Sequence, residues 1–182
     1  MATRRAIKSA LAMGAIIAAL GLYACNGAEA VQPTATSLPA VMQAQGYHAV
    51  SLRRVVSNHD VLTATINGVT GQFIVDTGAA FSIVHSPRTP RFYLSRDDAL
   101  GQRPATMPTG NITLTRYRLR SISVDNRGYR LPEMTSADLS ALVGIVAQTS
   151  GVNVDGIIGQ DFLITNQAVI DVGQRRIYLR AP

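Results

Sequence analysis

From Tyr47 onwards, the chain is a succession of short segments in which apolar and polar residues alternate. Glycine, proline and asparagine separate these segments, as they commonly do between strands. The clearest case is residues 61–66, which lead into Asn67-Gly68 and are followed by a second apolar run at 72–75. Because Asn-Gly between two such runs favours a tight turn, we predict a β-hairpin that ends at Asp76.

Other segments also favour strands over helices. Residues 112–124 alternate over a length unusual for one strand, so we predict a bend or break within them. Residues 168–171 and 176–179 predict a final hairpin. Residues 136–139 and 160–164 are candidates for short helical turns, and no stretch keeps helical periodicity for three turns. We therefore predict an all-β fold with one or two short helices.

The first 30 residues have the layout of a bacterial export signal. Basic residues precede an apolar run at 10–22, which is too short for a comfortable membrane span. Cys25 follows a lipobox-like sequence and would become the lipidated first residue of an envelope lipoprotein. Alternatively, the small-x-small pattern at 28–30 would direct cleavage that releases a soluble periplasmic protein. Both alternatives predict the cell envelope, with or without membrane anchoring through Cys25.

The remaining sequence divides into two parts. Residues 31–44 contain two prolines and small polar residues and are predicted to be a flexible linker, whereas residues 45–182 form the folded domain. Cys25 is the only cysteine, so the domain has no disulfide, thiol nucleophile or thiolate metal site. The formal net charge is +6. Because the arginines are scattered without interleaved aromatic residues, we do not expect nucleic-acid binding.

Asp76-Thr77-Gly78 places a carboxylate on a tight turn directly after an apolar strand. A carboxylate that activates water must be held rigidly, and glycine lets backbone amides approach its oxygens closely. A second apolar segment ends at Gly159, as if it packed beside the first. One carboxylate cannot act as both acid and base, but two that share a proton can. The two motifs therefore indicate half of a hydrolytic site.

These motifs resemble those of the retropepsin-like aspartic proteases, the single-domain relatives of the pepsins. The resemblance rests on Asp-Thr-Gly-Ala at 76–79 and on two apolar residues followed by glycine at 157–159, and it covers roughly residues 45–182. It implies a closed β-barrel, or acid-protease half-domain, with one catalytic aspartate per chain. No second Asp-Thr-Gly or Asp-Ser-Gly occurs. The resemblance thus implies a homodimer in which two copies of Asp76 form the catalytic pair.

The resemblance also assigns roles to residues. The catalytic residues would be Asp76, Thr77 and Gly78, with Thr77 bracing the partner's loop. The residues that bind the polypeptide substrate would be Ala79, Thr109, Gly110 and Gly159. Of these, Thr109 and Gly110 would belong to a mobile hairpin, or flap, that closes over the substrate and pairs with its backbone. Neither a metal nor another cofactor is implied.

Two departures from the family pattern affect these expectations. Retroviral members usually have an acidic residue soon after Asp-Thr-Gly-Ala and an arginine after the later glycine, whereas this chain has Ala80 and Gln160. An ion pair of the dimer core is therefore not expected. Pepsin-like enzymes usually have serine where this chain has Ala79. Because that serine donates to the ionised carboxylate, we expect activity nearer to neutral pH than that of pepsin.

Other interpretations of these residues remain open. Asp-Thr-Gly can be a plain turn in which the aspartate caps its own backbone. Asp155 and Asp171 lie at predicted strand ends and Asp161 near the second motif, and we expect structural roles for all three. The histidines have no metal-ligand spacing and are predicted to lie on the surface or in loops; they are His48, His59 and His85.

Two functions are consistent with the sequence. The first is an envelope aspartic endopeptidase that hydrolyses peptide bonds as a homodimer. The second is a binding or scaffolding lipoprotein on the same fold that has lost catalytic activity. The intact Asp-Thr-Gly favours the first function, and the irregular segment at 87–109, together with the absent ion pair, keeps the second open.

Overall fold

The computed structural model describes residues 37–96, 98–107 and 110–180. The predicted signal peptide with Cys25, the first part of the linker and Thr109 lie outside the described residues. Within the described part of the chain, no helix is both long and apolar enough to cross a membrane.

The first half of the domain consists of one helix and several strands. In chain order they are α1 (Leu38–Ala44), β1 (Tyr47–Ser51), β2 (Arg53–Arg54), β3 (Asp60–Ile66), β4 (Val69–Val75) and β5 (Ile83–His85). A 3₁₀ helix at Ser86–Phe92, strand β6 (Ser95–Arg96) and a second 3₁₀ helix at Asp98–Leu100 follow. A long hairpin then combines β7 (Gln102–Met107) and β8 (Gly110–Arg118).

The second half contains shorter strands and two helices. They are β9 (Ile122–Val124), β10 (Arg127–Tyr129), β11 (Glu133–Ala137), α2 (Ser140–Ser150), β12 (Gly156–Ile158), α3 (Gln160–Thr165), β13 (Val169–Asp171) and β14 (Arg176–Arg180). The fold is therefore all-β with short helices, as the sequence predicts.

The strands form two sheets. The small sheet has the order β1-β14-β13, and the large sheet has the order β10-β9-β3-β4-β12-β5-β11-β8-β6, with β2 added at β3 and β7 at β8. The prediction of a closed barrel is wrong for the described residues, because the ends of this path, β10 and β6, do not pair with each other. These end strands have only three and two residues, so they offer few backbone groups for a closing pairing.

The predicted hairpins are present. Strands β3 and β4 pair in register from Val61 with Ile74 to Ile66 with Val69. The turn places Asn67 and Gly68 at positive φ, which these residue types tolerate best. The predicted break in the long alternating segment lies between β8 and β9, and the final hairpin is β13 with β14.

The helices differ from the sequence prediction in three places. Residues 38–44, assigned to a flexible linker, form α1, which begins with proline in its first turn and buries Met42. Helix α2 has 11 residues, or about three turns, where no helix of that length was predicted. Helix α2 is stabilised by packing against the rest of the domain, since Val146 is fully buried in the described structure. Of the turn expected at 136–139, the first two residues belong to strand β11 and the other two lie between β11 and α2, whereas α3 lies where predicted.

Strand β12 is the centre of the architecture that positions the site. It pairs in parallel with β4 and antiparallel with β5, so it is covered along both edges. Ile158 packs in the main core, whereas Ile157 packs in a separate cluster with Ile83 and Leu114. Consecutive residues of a strand point to opposite faces, and both faces of β12 are covered, so both isoleucines are buried. Each burial stabilises the fold by about 1.5–3 kcal/mol.

Candidate active site

Asp76 lies directly after β4, at the start of an exposed turn. Its backbone N–H donates to the carbonyl of Ile158 over 3.0 Å. Its carboxylate accepts a hydrogen bond from the Gly78 amide, with an N to Oδ1 distance of 2.8 Å. Asp76 itself is half-buried, while Thr77 and Gly78 are exposed. A carboxylate of fixed orientation is thus presented at the surface.

Glycine at position 78 keeps this contact free of a side chain. A Cβ at residue 78 would lie 3.2 Å from Asp76 Oδ1, which is tighter than ordinary van der Waals contact. A larger residue would therefore compete with the amide that holds the carboxylate.

Gly159 lies beside the Asp76 turn, as the sequence predicts. Ile158, the residue before it, is the register partner of Val75, the residue before Asp76. A Cβ at residue 159 would lie 2.5 Å from the carbonyl oxygen of Phe81 and 2.8 Å from that of Ala79. Only glycine allows the two chain segments to approach this closely.

Gln160 contacts the Asp76 turn on both sides of Gly78. Its backbone N–H donates to the carbonyl of Ala79 over 2.8 Å, and its side-chain amide donates to the carbonyl of Thr77 over 2.7 Å. From the sequence, Gln160 is distinguished only as the position where the family's arginine is absent. The structure shows that a neutral amide joins the two motifs here.

Ser82 and Asp161 form a second connection between the motifs. The Asp161 carboxylate accepts hydrogen bonds from the Ser82 hydroxyl at 2.6 Å and from the Ser82 amide at 2.9 Å. The Ser82 hydroxyl oxygen in turn accepts a hydrogen bond from the Gly159 amide at 3.0 Å. Ser82 is fully buried. Asp161 has the structural role that was expected, but its partner, a serine 79 positions earlier, was not predicted.

The other two acidic residues near the second motif also accept hydrogen bonds within the fold. Asp155 is buried and accepts hydrogen bonds from Arg91 at 2.6 Å and from the Gln72 amide at 3.0 Å. Asp171 accepts a hydrogen bond from the Gln174 amide at 2.9 Å, as expected of a turn residue. Neither residue lines the cavity at Asp76.

Asp76 borders a mostly apolar cavity of about 270 Å³. The Asp76 turn and the strand after it contribute part of the wall, and the β7–β8 hairpin contributes another part through Ala105, Thr106, Ile112 and Leu114. Asp76 is the only ionisable residue among the described residues that line this cavity. The cavity therefore combines one oriented carboxylate with apolar walls, which suits a substrate with apolar side chains.

The β7–β8 hairpin is the segment in which the sequence predicts a flap. Gly110 begins β8 with φ +123°, a conformation that favours glycine, and Thr109 beside it lies outside the described residues. The hairpin is held against the Asp76 region by Arg103. Its guanidinium lies 4.2 Å from the centre of the Phe81 ring and donates to Glu133 at 3.0 Å.

The surroundings of His85 differ from those predicted for the histidines. His85 is buried on β5, and its Nδ1 accepts a hydrogen bond from the Leu139 amide at 3.1 Å. The expectation of a surface or loop position is therefore wrong for His85. Within the described ranges, no cluster of three or more histidine, cysteine, aspartate or glutamate residues is arranged to hold a metal.

Comparison with solved structures finds similarity to two proteases. A retropepsin-like aspartic protease from Rickettsia conorii superposes with a TM-score of 0.49 at 16% identity, covering 74% of this chain and 90% of its own. The EIAV protease, solved with an inhibitor, superposes with a TM-score of 0.47 at 18% identity, covering 64% of this chain and 96% of its own.

Comparison of the sequence itself gives the family. No curated protein sequence matches the chain. The pattern of the family described as aspartyl protease matches residues 62–162, which is more than half of the 182 residues and includes Asp76, Gly159 and Asp161. The chain therefore belongs to the aspartyl protease family.

Proposed function

We propose that this protein is an aspartic endopeptidase that assembles its catalytic pair in a homodimer. The observation that carries the proposal is the Asp76 carboxylate, held by the Gly78 amide at the mouth of an apolar cavity. Membership of the aspartyl protease family supports it. Asp76 of each copy would share one proton; the pair would draw a proton from water while giving one to the peptide carbonyl oxygen.

The need for a second copy follows from the count of carboxylates at the site. Among the described residues, Asp76 alone supplies a carboxylate to the cavity, and Asp155 and Asp161 are engaged by Arg91 and Ser82. One carboxylate cannot serve as acid and base in the same step. A second Asp76 from a symmetry-related copy would complete the pair.

An exposed apolar groove beside Thr77 supports dimerisation on this side. It is lined by aliphatic residues of α3 and β13 and by Thr77, Gln160, Gln167 and Ala168, and has a volume of about 350 Å³. Ile164 in this groove is 71% exposed. Exposed aliphatic surface of this kind is commonly covered by a protein partner.

The first experiment tests catalysis. Purified protein is assayed on denatured casein and on a peptide library, and Asp76→Asn is expected to lower kcat by about 10²–10⁴-fold. Asp171→Asn serves as a matched control, because Asp171 only holds a turn. Wild-type protein that is dimeric yet inactive from acidic to neutral pH would contradict proteolysis and favour the binding or scaffolding function.

The second experiment tests assembly. Ile164→Asp is expected to give monomers in sedimentation and to abolish activity at low protein concentration, because a charge would be buried in the contact. Ile145→Asp is the control, since Ile145 is another exposed isoleucine on a helix. An active wild-type monomer would contradict the shared site.

We also propose that the protein is exported to the cell envelope and anchored through lipidated Cys25. The proposal rests on the basic and apolar character of the first 22 residues and on the position of the only cysteine. Mass spectrometry of the mature amino terminus tests it. An acylated Cys25 is expected, whereas cleavage after Ala30 would identify a soluble periplasmic protein.

A further inference from the structure

The Asp76 turn is held from one side by residues 158–160. The Asp76 N–H donates to the carbonyl of Ile158 over 3.0 Å, and the Gln160 N–H donates to the carbonyl of Ala79 over 2.8 Å. Both bonds join backbone groups, so they do not depend on the type of side chain. The third bond does, because the Gln160 side chain donates to the carbonyl of Thr77 with an Nε2 to O distance of 2.7 Å.

The side chain at position 160 is therefore the part of this contact that depends on the sequence. A carbonyl oxygen only accepts hydrogen bonds, so Gln160 contacts Thr77 through its NH₂ group. Among the residues that the structure describes, no other side chain donates to a backbone carbonyl of residues 76–79. An apolar side chain at position 160 would leave the Thr77 carbonyl without this donor.

The Thr77 carbonyl is directly connected to the group that orients the Asp76 carboxylate. It belongs to the same peptide group as the Gly78 N–H, which donates to Asp76 Oδ1 over 2.8 Å. A peptide group is planar and almost always trans, so its C=O and N–H point in opposite directions within one plane. Gln160 and Asp76 thus bind the two ends of a single peptide plane. A rotation of this plane that lengthens one of the two hydrogen bonds also misaligns the other.

Solvent exposure distinguishes this contact from those that stabilise the fold. Thr77, Gly78 and Gln160 are all exposed, whereas Ser82, in the other connection between the motifs, is fully buried. Water can replace Gln160 as the donor to Thr77, so loss of this bond leaves no buried group unpaired. A mobile water molecule does not, however, fix the direction of the peptide plane. The Gln160 side chain therefore affects the orientation of the Asp76 carboxylate more than the stability of the fold.

We propose that Gln160 is a positioning residue for catalysis, a role that rests on the proposed function. By holding the peptide plane between Thr77 and Gly78, its side chain keeps the Gly78 N–H directed at the Asp76 carboxylate. This fixes the carboxylate in the orientation in which it shares a proton with its counterpart in the second copy. The Gln160 side chain is neutral, so it does so without adding a charge to the site.

The first test compares kcat, KM and Tm of Gln160→Met with those of the wild type. Methionine is similar in length to glutamine and has no N–H donor. We expect kcat to fall by about 10–100-fold, because a misplacement of about 1 Å can cost on the order of 100-fold. KM should change by less than about threefold, since the lost contact acts on the reacting carboxylate. Tm should fall by less than about 4 °C, as expected for one exposed hydrogen bond.

The conditions and the control exclude indirect effects. The substrate is a library peptide that the wild type cleaves, and each protein is assayed at a concentration at which it sediments as a dimer. Gln148→Met is the matched control. Gln148 is an exposed glutamine of α2 and lines neither the Asp76 cavity nor the groove beside Thr77. Its replacement should leave all three parameters at their wild-type values.

Gln160→Glu tests the hydrogen bond itself through its dependence on pH. Below the ordinary glutamate pKa of about 4.3, the introduced carboxyl is protonated and can donate to the Thr77 carbonyl; above it, the carboxylate only accepts. The ratio of its kcat to that of the wild type should therefore fall by about tenfold between about pH 3.5 and about pH 6. For Gln160→Met, the ratio should be low and equal at both pH values.

Hydrogen exchange followed by nuclear magnetic resonance measures the same contact without enzymatic activity. In Gln160→Met, the Gly78 amide should exchange faster than in the wild type by about threefold or more, because its peptide plane is no longer held. The Asp76 amide, which donates to the carbonyl of Ile158, should keep its wild-type rate.

These results distinguish failure of this role from failure of the proposed function. An inactive wild type contradicts proteolysis and with it the catalytic role of Gln160, whereas the Gly78 exchange rate still decides whether Gln160 holds the peptide plane. With an active wild type, the positioning role is overturned if Gln160→Met keeps the wild-type kcat or the wild-type Gly78 exchange rate. It is also overturned if the kcat ratio of Gln160→Glu does not depend on pH, or if the Tm of Gln160→Met falls beyond the expected limit.

Discussion

Replacing Asp161 by alanine should remove a connection that holds the two sequence motifs together. Asp161 accepts hydrogen bonds from the hydroxyl and the amide of Ser82 and from the Phe162 amide, at 2.6, 2.9 and 2.7 Å. Ser82 is fully buried, so water cannot easily replace the carboxylate. A buried donor without a partner costs about 1–3 kcal/mol. With two such donors on Ser82, we expect Asp161→Ala to lower the free energy of unfolding by about 2–6 kcal/mol.

The assay is urea denaturation followed by far-ultraviolet circular dichroism, since the chain contains no tryptophan. For a domain of this size, the expected loss corresponds to a decrease in Tm of roughly 2–4 °C per kcal/mol. Asp98→Ala is the control, because the Asp98 side chain is 90% exposed, and it should change stability by less than about 0.5 kcal/mol.

A double-mutant cycle separates this contact from a general effect of losing a charge. Ser82→Ala keeps the amide that donates to Asp161 but leaves the Gly159 amide without its acceptor, so a loss of about 1–3 kcal/mol is expected. The two substitutions should couple by at least about 1 kcal/mol. An Asp161→Ala loss below about 1 kcal/mol, or strict additivity with Ser82→Ala, would refute this reasoning.

Three further outcomes are expected. Gly156→Ala would place a Cβ 2.1 Å from the Ile83 carbonyl oxygen, so the free energy of unfolding, measured by urea denaturation, should fall by about 3 kcal/mol or more. An unchanged urea midpoint would contradict this close packing of β12 on β5. Gly144→Ala lies within α2 with nothing within 4 Å of the new Cβ, and it should stabilise the protein by about 0.5–1 kcal/mol. The hydrogen bond from the Ser140 hydroxyl, and to a smaller extent that from the Ser140 amide, lowers the pKa of Asp138. The ionised Asp138 carboxylate therefore stabilises the fold above the ordinary pKa of aspartate, and this stabilisation is lost as the pH falls through the lowered pKa of the folded state. Asp138→Asn should consequently flatten the dependence of Tm on pH below about pH 4. Parallel profiles would contradict this.

The sequence predicts most of the local strand structure because the relevant signals are local. Alternation and Asn67-Gly68 indicate the β3–β4 hairpin, and its turn has the positive φ values that this pair accommodates. Helix α2 was not predicted, since its periodicity is weak and burial of Val146 helps to hold it. The open large sheet was not predicted either, because strand order depends on pairings between distant segments.

The sequence by itself determined which residues can form the site: an aspartate on a glycine turn after one apolar strand, and a second apolar strand ending in glycine. It did so because turn geometry and close backbone approach restrict residue type directly. Only the tertiary structure decided what holds these parts together. Gln160 donates to Thr77, 83 positions earlier, and Asp161 accepts from Ser82, 79 positions earlier. Contacts at such sequence separations produce no periodic pattern in the sequence. Such contacts form only when parallel pairing brings β12 against β4, which is a property of the whole sheet.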